Sequence, residues 1–271
     1  MAQSTLERLI TRAIWTMCRA LWGFSPRMIP HIVRRMGPVR ALAWFAANFP
    51  RYLVTLHVLG PTRFHLACMT ISLHNSCTYC AYGHAYALEL VYLRDHDRLF
   101  PLDARTLAGW LDLEPRELER RLHGVLRDAG LHVEALWVDR TLAMATGTQP
   151  PIDRAEARIA HLVRMLGTIN AIAVESQVEP DEAQNPVNKD REIKAKYAEL
   201  RASQVRRACG DGAPCHRAAD PTEAEAEPVP LLEQLRRPLR GVGDALPAHH
   251  TRVAARPGPL VAHRDRPASG R

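Results

Sequence analysis

The stretch of residues 74–84 reads His74-Asn75-Ser76-Cys77-Thr78-Tyr79-Cys80-Ala81-Tyr82-Gly83-His84. It lies inside a helical pattern that covers residues 64 to about 95, and we predict two helices there with a break at positions 74–76. No stretch of the chain shows sustained alternation of apolar and polar residues, which is the pattern of a half-buried strand. The sequence therefore predicts an all-α fold.

The N-terminal part, residues 1–60, is predicted to be a helical extension. Its first helix has an apolar face that we expect to dock on the core, although an arginine-bearing amphipathic helix can also lie on a membrane surface. A second helix is expected over about 30–48 and should end before Pro50, because proline lacks the N–H that a helix interior needs. The apolar positions of the first helix are Leu9, Ala13, Met17 and Leu21.

The central part, residues 61–207, is predicted to be the helical domain. Besides the two helices around the break, we expect short helices over 103–148. Asp153 is placed to cap a helix from 154 to about 174, since its side chain can accept from the free N–H groups of a first turn. A charged helical pattern follows over 188–207.

The C-terminal part, residues 208–271, is predicted to be a disordered tail rich in proline and arginine. No Phe, Trp or Tyr follows Tyr197, and nine of the 20 prolines lie between Pro214 and Pro267. Such a segment buries too little apolar surface to offset the conformational entropy that folding removes.

Composition excludes several classes of protein. The chain has 271 residues and is 46% hydrophobic, which excludes a wholly disordered protein and a collagen-like fibre. Six cysteines are too few for a small disulfide scaffold. The net charge is +7, but only three of the 36 basic residues are lysine. That imbalance indicates a base-composition bias more than a basic surface selected for nucleic acid or membrane.

We expect a cytoplasmic protein without a membrane span. Glu7 and several arginines interrupt the N-terminal region, where a signal peptide needs a continuous apolar run. The most apolar longer stretch, residues 52–73, is broken by Gly60, Pro61 and polar residues. In the cytoplasm thiols stay reduced unless redox chemistry is their function.

Residues 74–84 also carry specific chemistry. Asn75 or Ser76 is a good N-cap, which would place Cys77 and Cys80 in the first turn of a helix, where free N–H groups stabilise a thiolate. The spacing puts both cysteines and His84 on one helical face, so His84 can exchange a proton with Cys80. This arrangement suits dithiol–disulfide exchange or reduction of a peroxide through a sulfenic acid, with Cys80 attacking and Cys77 resolving.

The run from Asn75 to Cys80, followed by His84, resembles the signature of the alkylhydroperoxidase D-like, or carboxymuconolactone decarboxylase, superfamily. The resemblance is sharp over residues 64–95 and looser over 100–175. It implies a multi-helix bundle that assembles into homo-oligomers. We expect neither a cofactor nor a metal. The resemblance also implies a redox pair, Cys77 and Cys80, with His84 in the proton relay, a peroxide or disulfide substrate, and an external dithiol or thioredoxin-like reductant.

One position departs from that family pattern. The redox branch usually has a glutamate twelve residues before the first cysteine, and this chain has His65 there. A histidine can move protons near neutral pH but cannot stabilise a neighbouring imidazolium as a carboxylate does. We therefore count His65 among the candidate catalytic residues, and a non-catalytic relative of the family stays an alternative. The decarboxylase branch generally lacks the CxxC pair, so lactone decarboxylation is not expected.

A DNA-binding alternative rests on residues 103–130, which resemble a helix-turn-helix. Leu107 would lie in the core of the first helix, and residues 117–127 would form the recognition helix. Two ordinary helices of a bundle explain the same pattern without DNA, since Pro115 is favourable at a first helical position. Acidic neighbours also disfavour a contact with phosphate. The exposed arginines would be Arg120, Arg121 and Arg127, and the acidic residues are Asp112, Glu114, Glu117 and Glu119.

A zinc site is a further alternative, with Cys77, Cys80 and His84 as three of its ligands. A structural zinc site needs a fourth ligand, and a plain structural role, as buried core residues, is also open. The local candidates for the fourth ligand are Cys68, His65 and His74.

The remaining cysteines give little indication of function. Cys18 and Cys68 are predicted to be core residues, although Cys68 is close enough in sequence to approach the site. Cys209 and Cys215, with His216, stand at the start of the predicted tail, and we assign them no function.

Overall fold

A computed structural model describes residues 4–111 and 113–209 of the chain. Within these residues there are ten α-helices, one 3-10 helix and no strand, which confirms the predicted all-α fold. The predicted tail lies outside the described residues from position 210 onward. The helices are α1 (Thr5–Trp22), α2 (Met28–Met36), α3 (Pro38–Leu59), α4 (Pro61–His74), α5 (Thr78–His96), α6 (Ala104–Ala108), α7 (Pro115–Asp128), α8 (His132–Ala145), α9 (Arg154–Glu175) and α10 (Arg191–Cys209), and the 3-10 helix covers Pro186–Lys189.

Helices α4 and α5 form a hairpin whose side chains are almost all buried. The break predicted at positions 74–76 is confirmed, since α4 ends at His74 and α5 begins at Thr78. Ser76 has φ 54°, in the left-handed region, and this conformation lets the chain reverse direction between the two helices. The reversal brings the middle of α4 against the first turns of α5.

Other predicted elements are also confirmed. The short helices expected over 103–148 are α6, α7 and α8. Asp153 caps α9, and its carboxylate accepts from the backbone N–H of Glu156 at 2.7 Å. This bond satisfies one of the free donors of the first turn, as the residue type predicts.

The predicted end of the second helix before Pro50 is wrong. Residues 28–59 form two helices, and Pro50 lies inside the second of them, α3. Pro50 is exposed, while Phe49 and Tyr52 on either side of it are buried. The apolar face therefore continues past the proline, and burial of that face outweighs the loss of one backbone hydrogen bond.

The predicted inner face of α1 is correct only in part, since Met17 and Leu21 pack against the core while Leu9 and Ala13 are exposed. Leu9 is 62% exposed, and the buried positions are one residue further along, at Ile14, Cys18 and Trp22. Trp22 packs against Phe49, with ring centroids 5.7 Å apart. Both stripes have helical spacing, and the one that buries the large indole ring lies inward.

The N-terminal helices and the centre of the molecule share one hydrophobic core. Trp22 of α1, Phe49 and Tyr52 of α3, Phe64 of α4 and Ile159 of α9 belong to the same buried cluster. A second cluster lies on the other side of the hairpin, between α4, α5, α6, α7 and α8. The α4–α5 hairpin thus stands between two cores, which fixes the positions of its side chains.

Among the described residues, α9 alone is long and apolar enough to cross a membrane by length and composition. A helix buried in a protein core passes the same criteria, and Ile159 and Leu162 of α9 are fully buried. One such helix is weak evidence for a membrane span.

Candidate functional site

The thiol pair lies at the N-terminus of α5, where Cys77 is the N-cap residue and Cys80 lies in the first turn. The predicted caps, Asn75 and Ser76, are therefore wrong by one or two positions. Ser76 is in the left-handed conformation, and its hydroxyl donates to the carbonyl of Leu111 at 3.2 Å. Cys77 consequently sits directly against the free N–H groups of the first turn.

The two thiols are each 1% exposed, but their pKa values shift in opposite directions. A hydrogen bond with the Cys80 thiol, and others from the backbone N–H groups of Cys80 and Tyr79, lower the pKa of Cys77 although burial opposes this. The bond to Cys77, together with burial, raises the pKa of Cys80 well above its ordinary value. These directions make Cys77 the more acidic thiol of the pair, whereas the sequence assigned the attack to Cys80.

His65 and His84 form a second pair inside the hairpin, and both side chains are fully buried. Their Nδ1 atoms lie 3.2 Å apart. On the other side of His65, the amide Nδ2 of Asn185 lies 2.7 Å from its Nε2. The structure thus joins the two candidate histidines and adds a third polar residue, from the segment that follows α9.

Asn185 fixes the positions of the protons along this chain of side chains. Its Oδ1 accepts from the backbone N–H of Val187 at 2.8 Å, so its Nδ2 must donate to Nε2 of His65. His65 then carries its proton on Nδ1 and donates it to Nδ1 of His84. His84 must therefore carry its own proton on Nε2, and this buried atom has no hydrogen-bond partner in the structure. This series of hydrogen-bonded side chains ends at the Nε2–H of His84, which can donate to an oxygen or sulfur atom.

Burial keeps both imidazoles neutral. Desolvation lowers the pKa of His84 to about 3. Desolvation, and then the charge of His84, lower the pKa of His65 well below its ordinary value. A neutral His84 can donate its Nε2 proton, but it offers no positive charge to a thiolate. The lowered pKa of Cys77 comes instead from that residue's own hydrogen bonds.

The segment over 178–190 lies directly against α5. The backbone N–H of Gln184 donates to the carbonyl of Gly83 at 3.3 Å. A Cβ at Gly83 would lie only 3.0–3.2 Å from atoms of the Gln184 side chain. Glycine at position 83 therefore permits the close approach that brings Asn185 to His65.

Asp181 connects the same segment to the residue between the two cysteines. Its carboxylate accepts from the Tyr79 hydroxyl at 3.1 Å and from the backbone N–H of Arg27 at 2.8 Å. Burial raises the pKa of Asp181, although these hydrogen bonds oppose the shift. Neither Asp181 nor Asn185 could be predicted from the sequence, because Asp181 is 102 positions from Tyr79, Asn185 is 120 positions from His65, and no local pattern links them.

Cys18 and Cys68 are buried core residues, as predicted. Burial raises the pKa of Cys18 to about 12 and that of Cys68 well above its ordinary value. A buried thiol without a stabilised anion is unreactive. Both residues therefore provide internal controls for the Cys77–Cys80 pair. The structure describes no side chain for Cys209, and Cys215 and His216 lie outside the described residues.

The structure shows one group of three metal-ligating side chains within 4.8 Å of one another among the described residues, namely Glu119, His123 and Asp139. Cys77, Cys80 and His84 do not form such a group. Nε2 of His123 lies 2.5 Å from a carboxylate oxygen of Asp139, and this contact explains their proximity without an ion.

The region that resembles a helix-turn-helix consists of α6 and α7, and α6 has only five residues. Arg120 and Arg121 both form ion pairs with Glu117. The guanidinium of Arg121 also lies 5.6 Å from the ring centroid of Trp110. These arginines are occupied within the protein, and nothing in their arrangement favours a contact with DNA.

Comparison of the chain with models of known protein families, with curated proteins and with solved structures finds no match.

Proposed function

We propose that this chain is a cytoplasmic thiol-dependent oxidoreductase of the alkylhydroperoxidase D-like kind, in which Cys77 and Cys80 alternate between dithiol and disulfide. Its substrate is a hydroperoxide or a disulfide, and its reductant is an external dithiol. The proposal rests on one observation, the position of two buried thiols at the N-terminus of α5, where Cys77 is the N-cap residue and Cys80 lies in the first turn. The direction of the pKa shift of Cys77, which is lowered, supports it. A low-pKa thiolate next to a resolving thiol is the arrangement that reversible thiol chemistry requires.

The first step is the attack of the Cys77 thiolate on the outer oxygen of a hydroperoxide. An S–O bond forms as the O–O bond breaks, which gives a sulfenic acid on Cys77 and an alkoxide. The alkoxide takes the proton of the Cys80 thiol and leaves as the alcohol. His84 supports this step, because its unpaired Nε2–H, one helical turn beyond Cys80, is free to donate to the leaving oxygen.

The second step closes the disulfide. The Cys80 thiolate attacks the sulfur of the Cys77 sulfenic acid and expels hydroxide, which takes a proton from solvent. An external dithiol then restores both thiols by two successive exchanges, and it is itself oxidised to a disulfide. For a disulfide substrate, the Cys77 thiolate attacks sulfur in place of oxygen and the same two residues complete the exchange.

In this mechanism His65 positions His84 and is not a source of protons. His65 receives its hydrogen bond from the Asn185 amide, which is not an acid at any accessible pH. The two histidines therefore cannot take up a new proton from Asn185 after His84 has donated one. Its contribution is to hold the Nε2–H of His84 in one tautomer and one orientation.

The test is trapping of the sulfenic acid. The reduced wild type, Cys77→Ser and Cys80→Ser are each mixed with tert-butyl hydroperoxide and with dimedone, which captures sulfenic acids, and the adducts are located by peptide mass spectrometry. We expect an adduct on Cys77 in Cys80→Ser, a Cys77–Cys80 disulfide in the wild type, and neither product in Cys77→Ser.

Cys18→Ser and Cys68→Ser are the matched controls, since both remove a buried thiol of the same core. Both should form the disulfide at the wild-type rate. An adduct on Cys80 in Cys77→Ser, with none on Cys77 in Cys80→Ser, would reverse the assigned roles. Full turnover in both serine variants would disprove the mechanism.

A further inference from the structure

An open cleft of about 730 Å³ lies between α5 and α10. Its walls come from α5, from residues 101–105, from positions 181 and 182, and from α10. The volume is within the range of small-molecule sites, which is roughly 300–1,000 Å³. Neither cysteine lines this cleft, nor does His84.

One wall of the cleft is aromatic. Tyr82 and Tyr86 lie one turn apart on α5 with ring centroids 5.9 Å apart, and Tyr197 of α10 lies 5.4 Å from Tyr86. The ring of Tyr197 is held in place, because its hydroxyl donates to the buried carboxylate of Glu89 at 2.6 Å. Three neighbouring phenol rings form a surface on which a flat apolar group can pack.

Two of the three basic residues that line the cleft pair with carboxylates of the protein. Lys194 pairs with Glu182 at 2.8 Å, and Arg201 pairs with Glu89. Arg105 has no carboxylate partner within the described part of the chain, and its side chain is exposed and hydrogen-bonded to Tyr82. Arg105 is therefore the basic side chain of the cleft that forms no ion pair within the described residues, and it lies beside the aromatic wall.

The acidic residues of the cleft are occupied as well. Asp103 caps α6 and accepts from the backbone N–H and the hydroxyl of Thr106. Asp181 accepts from the backbone of Arg27 and from the hydroxyl of Tyr79. An anion that enters the cleft therefore meets the guanidinium of Arg105, which has no carboxylate partner within the described residues, and two carboxylates that already accept hydrogen bonds from the protein.

Asp181 also links the cleft to the thiols. It lines the cleft and holds Tyr79, which stands between Cys77 and Cys80 in the sequence. Because both thiols are only 1% exposed, a substrate has to approach them through a layer of protein. Asp181 is the cleft residue that contacts the helical turn which carries the two thiols.

We propose that this cleft binds an aromatic carboxylate, with its ring against Tyr82 and Tyr86 and its carboxylate on Arg105. The binding itself does not depend on redox chemistry. Its role as the docking site for the substrate of Cys77 rests on the proposed function. The favoured substrates are then hydroperoxides or disulfides that carry an aryl group and a carboxylate, in preference to neutral ones.

The first experiment measures binding alone, by calorimetry on the full chain, with 2-nitrobenzoate as the probe and neutral nitrobenzene as its comparison. We expect 2-nitrobenzoate to bind more tightly than nitrobenzene. Arg105→Gln should weaken the binding of 2-nitrobenzoate by about tenfold, the effect of losing one charge-assisted hydrogen-bonded pair. Arg127→Gln is the control, because Arg127 is an exposed arginine of α7 outside the cleft. Absence of binding, or equal binding in Arg105→Gln, overturns the proposal.

The second experiment measures the reaction of the thiols with two disulfides. 5,5′-Dithiobis(2-nitrobenzoate) carries aromatic carboxylates, and 4,4′-dithiodipyridine is neutral. Arg105→Gln should slow the first reaction by about tenfold and leave the second unchanged. Equal slowing of both reactions overturns the docking role of the cleft. If 2-nitrobenzoate binds through Arg105 while Cys77 reacts with neither disulfide, the cleft stands and the proposed function fails.

Discussion

Glu89 provides a quantitative test of how the interior of this protein is arranged. Its side chain is fully buried on α5, and it accepts from the backbone N–H of Ala104, from the Tyr197 hydroxyl and from the guanidinium of Arg201. Desolvation nevertheless outweighs the attraction of Arg201 and raises the pKa of Glu89 to about 7 from 4.5. The perturbation is Glu89→Gln, which keeps the shape and removes the ionisation.

The sign follows from proton linkage. Because the folded-state pKa of Glu89 is raised, the folded protein binds this proton more tightly than the unfolded chain does. The stabilisation is complete below pH 4.5 and is lost as pH rises through about 7. At about 1.36 kcal/mol per pKa unit, Glu89 contributes about 2 kcal/mol more to the free energy of unfolding at pH 5 than at pH 7.

The assay is urea unfolding of wild type and Glu89→Gln at pH 5, 6 and 7. The free-energy difference between them should grow by about 2 kcal/mol from pH 7 to pH 5, in favour of wild type. Glu175→Gln is the control, since Glu175 forms an exposed ion pair with Arg35 and should show no such trend. A difference between wild type and Glu89→Gln that is constant with pH would refute the raised pKa.

Three further predictions concern the histidine pair. The depressed pKa of His84 means that its stabilisation is present above pH 6.5 and is lost as pH falls toward about 3. Unfolding in urea should therefore show the advantage of wild type over His84→Gln shrinking in acid, by up to about 5 kcal/mol. Asn185→Ala leaves Nε2 of His65 unpaired and should cost about 1–3 kcal/mol, with a changed tautomer in ¹⁵N NMR spectra of the imidazoles; unchanged spectra would refute the assigned tautomers. Gly83→Ala crowds Gln184 and should lower the free energy of unfolding by about 1–3 kcal/mol. An unchanged urea midpoint would show that the segment over 178–190 moves away from α5 at no cost in stability.

The sequence predicted the parts of the fold that depend on local signals. The break before Cys77 follows from Asn75 and Ser76, residues that favour turns and caps over helix interiors, and the start of α9 follows from Asp153. The rotation of α1 could not be predicted, since two stripes of apolar residues compete and only the partners of Trp22 decide between them.

In the candidate site, too, some residues could be predicted from local sequence signals and others depend on tertiary contacts. Cys77, Cys80 and His84 share one short motif, and His65 was found through its distance from that motif in the family pattern. Asn185 comes from beyond α9, and only the folded chain brings its amide to His65. The opposite pKa shifts of the two thiols were also out of reach, because they depend on which sulfur receives the hydrogen bond.

The most direct test of the redox pair is a titration of the reduced protein in a graded series of thiol–disulfide buffers, with the state of each cysteine read by alkylation and peptide mapping. We predict that Cys77 and Cys80 oxidise together as one two-electron couple, at a potential near that of the cytosol. Cys18 and Cys68 should stay reduced throughout, because burial raises their pKa values and leaves them without a stabilised thiolate. If Cys77 and Cys80 remain reduced at every accessible potential, the proposed oxidoreductase function is contradicted.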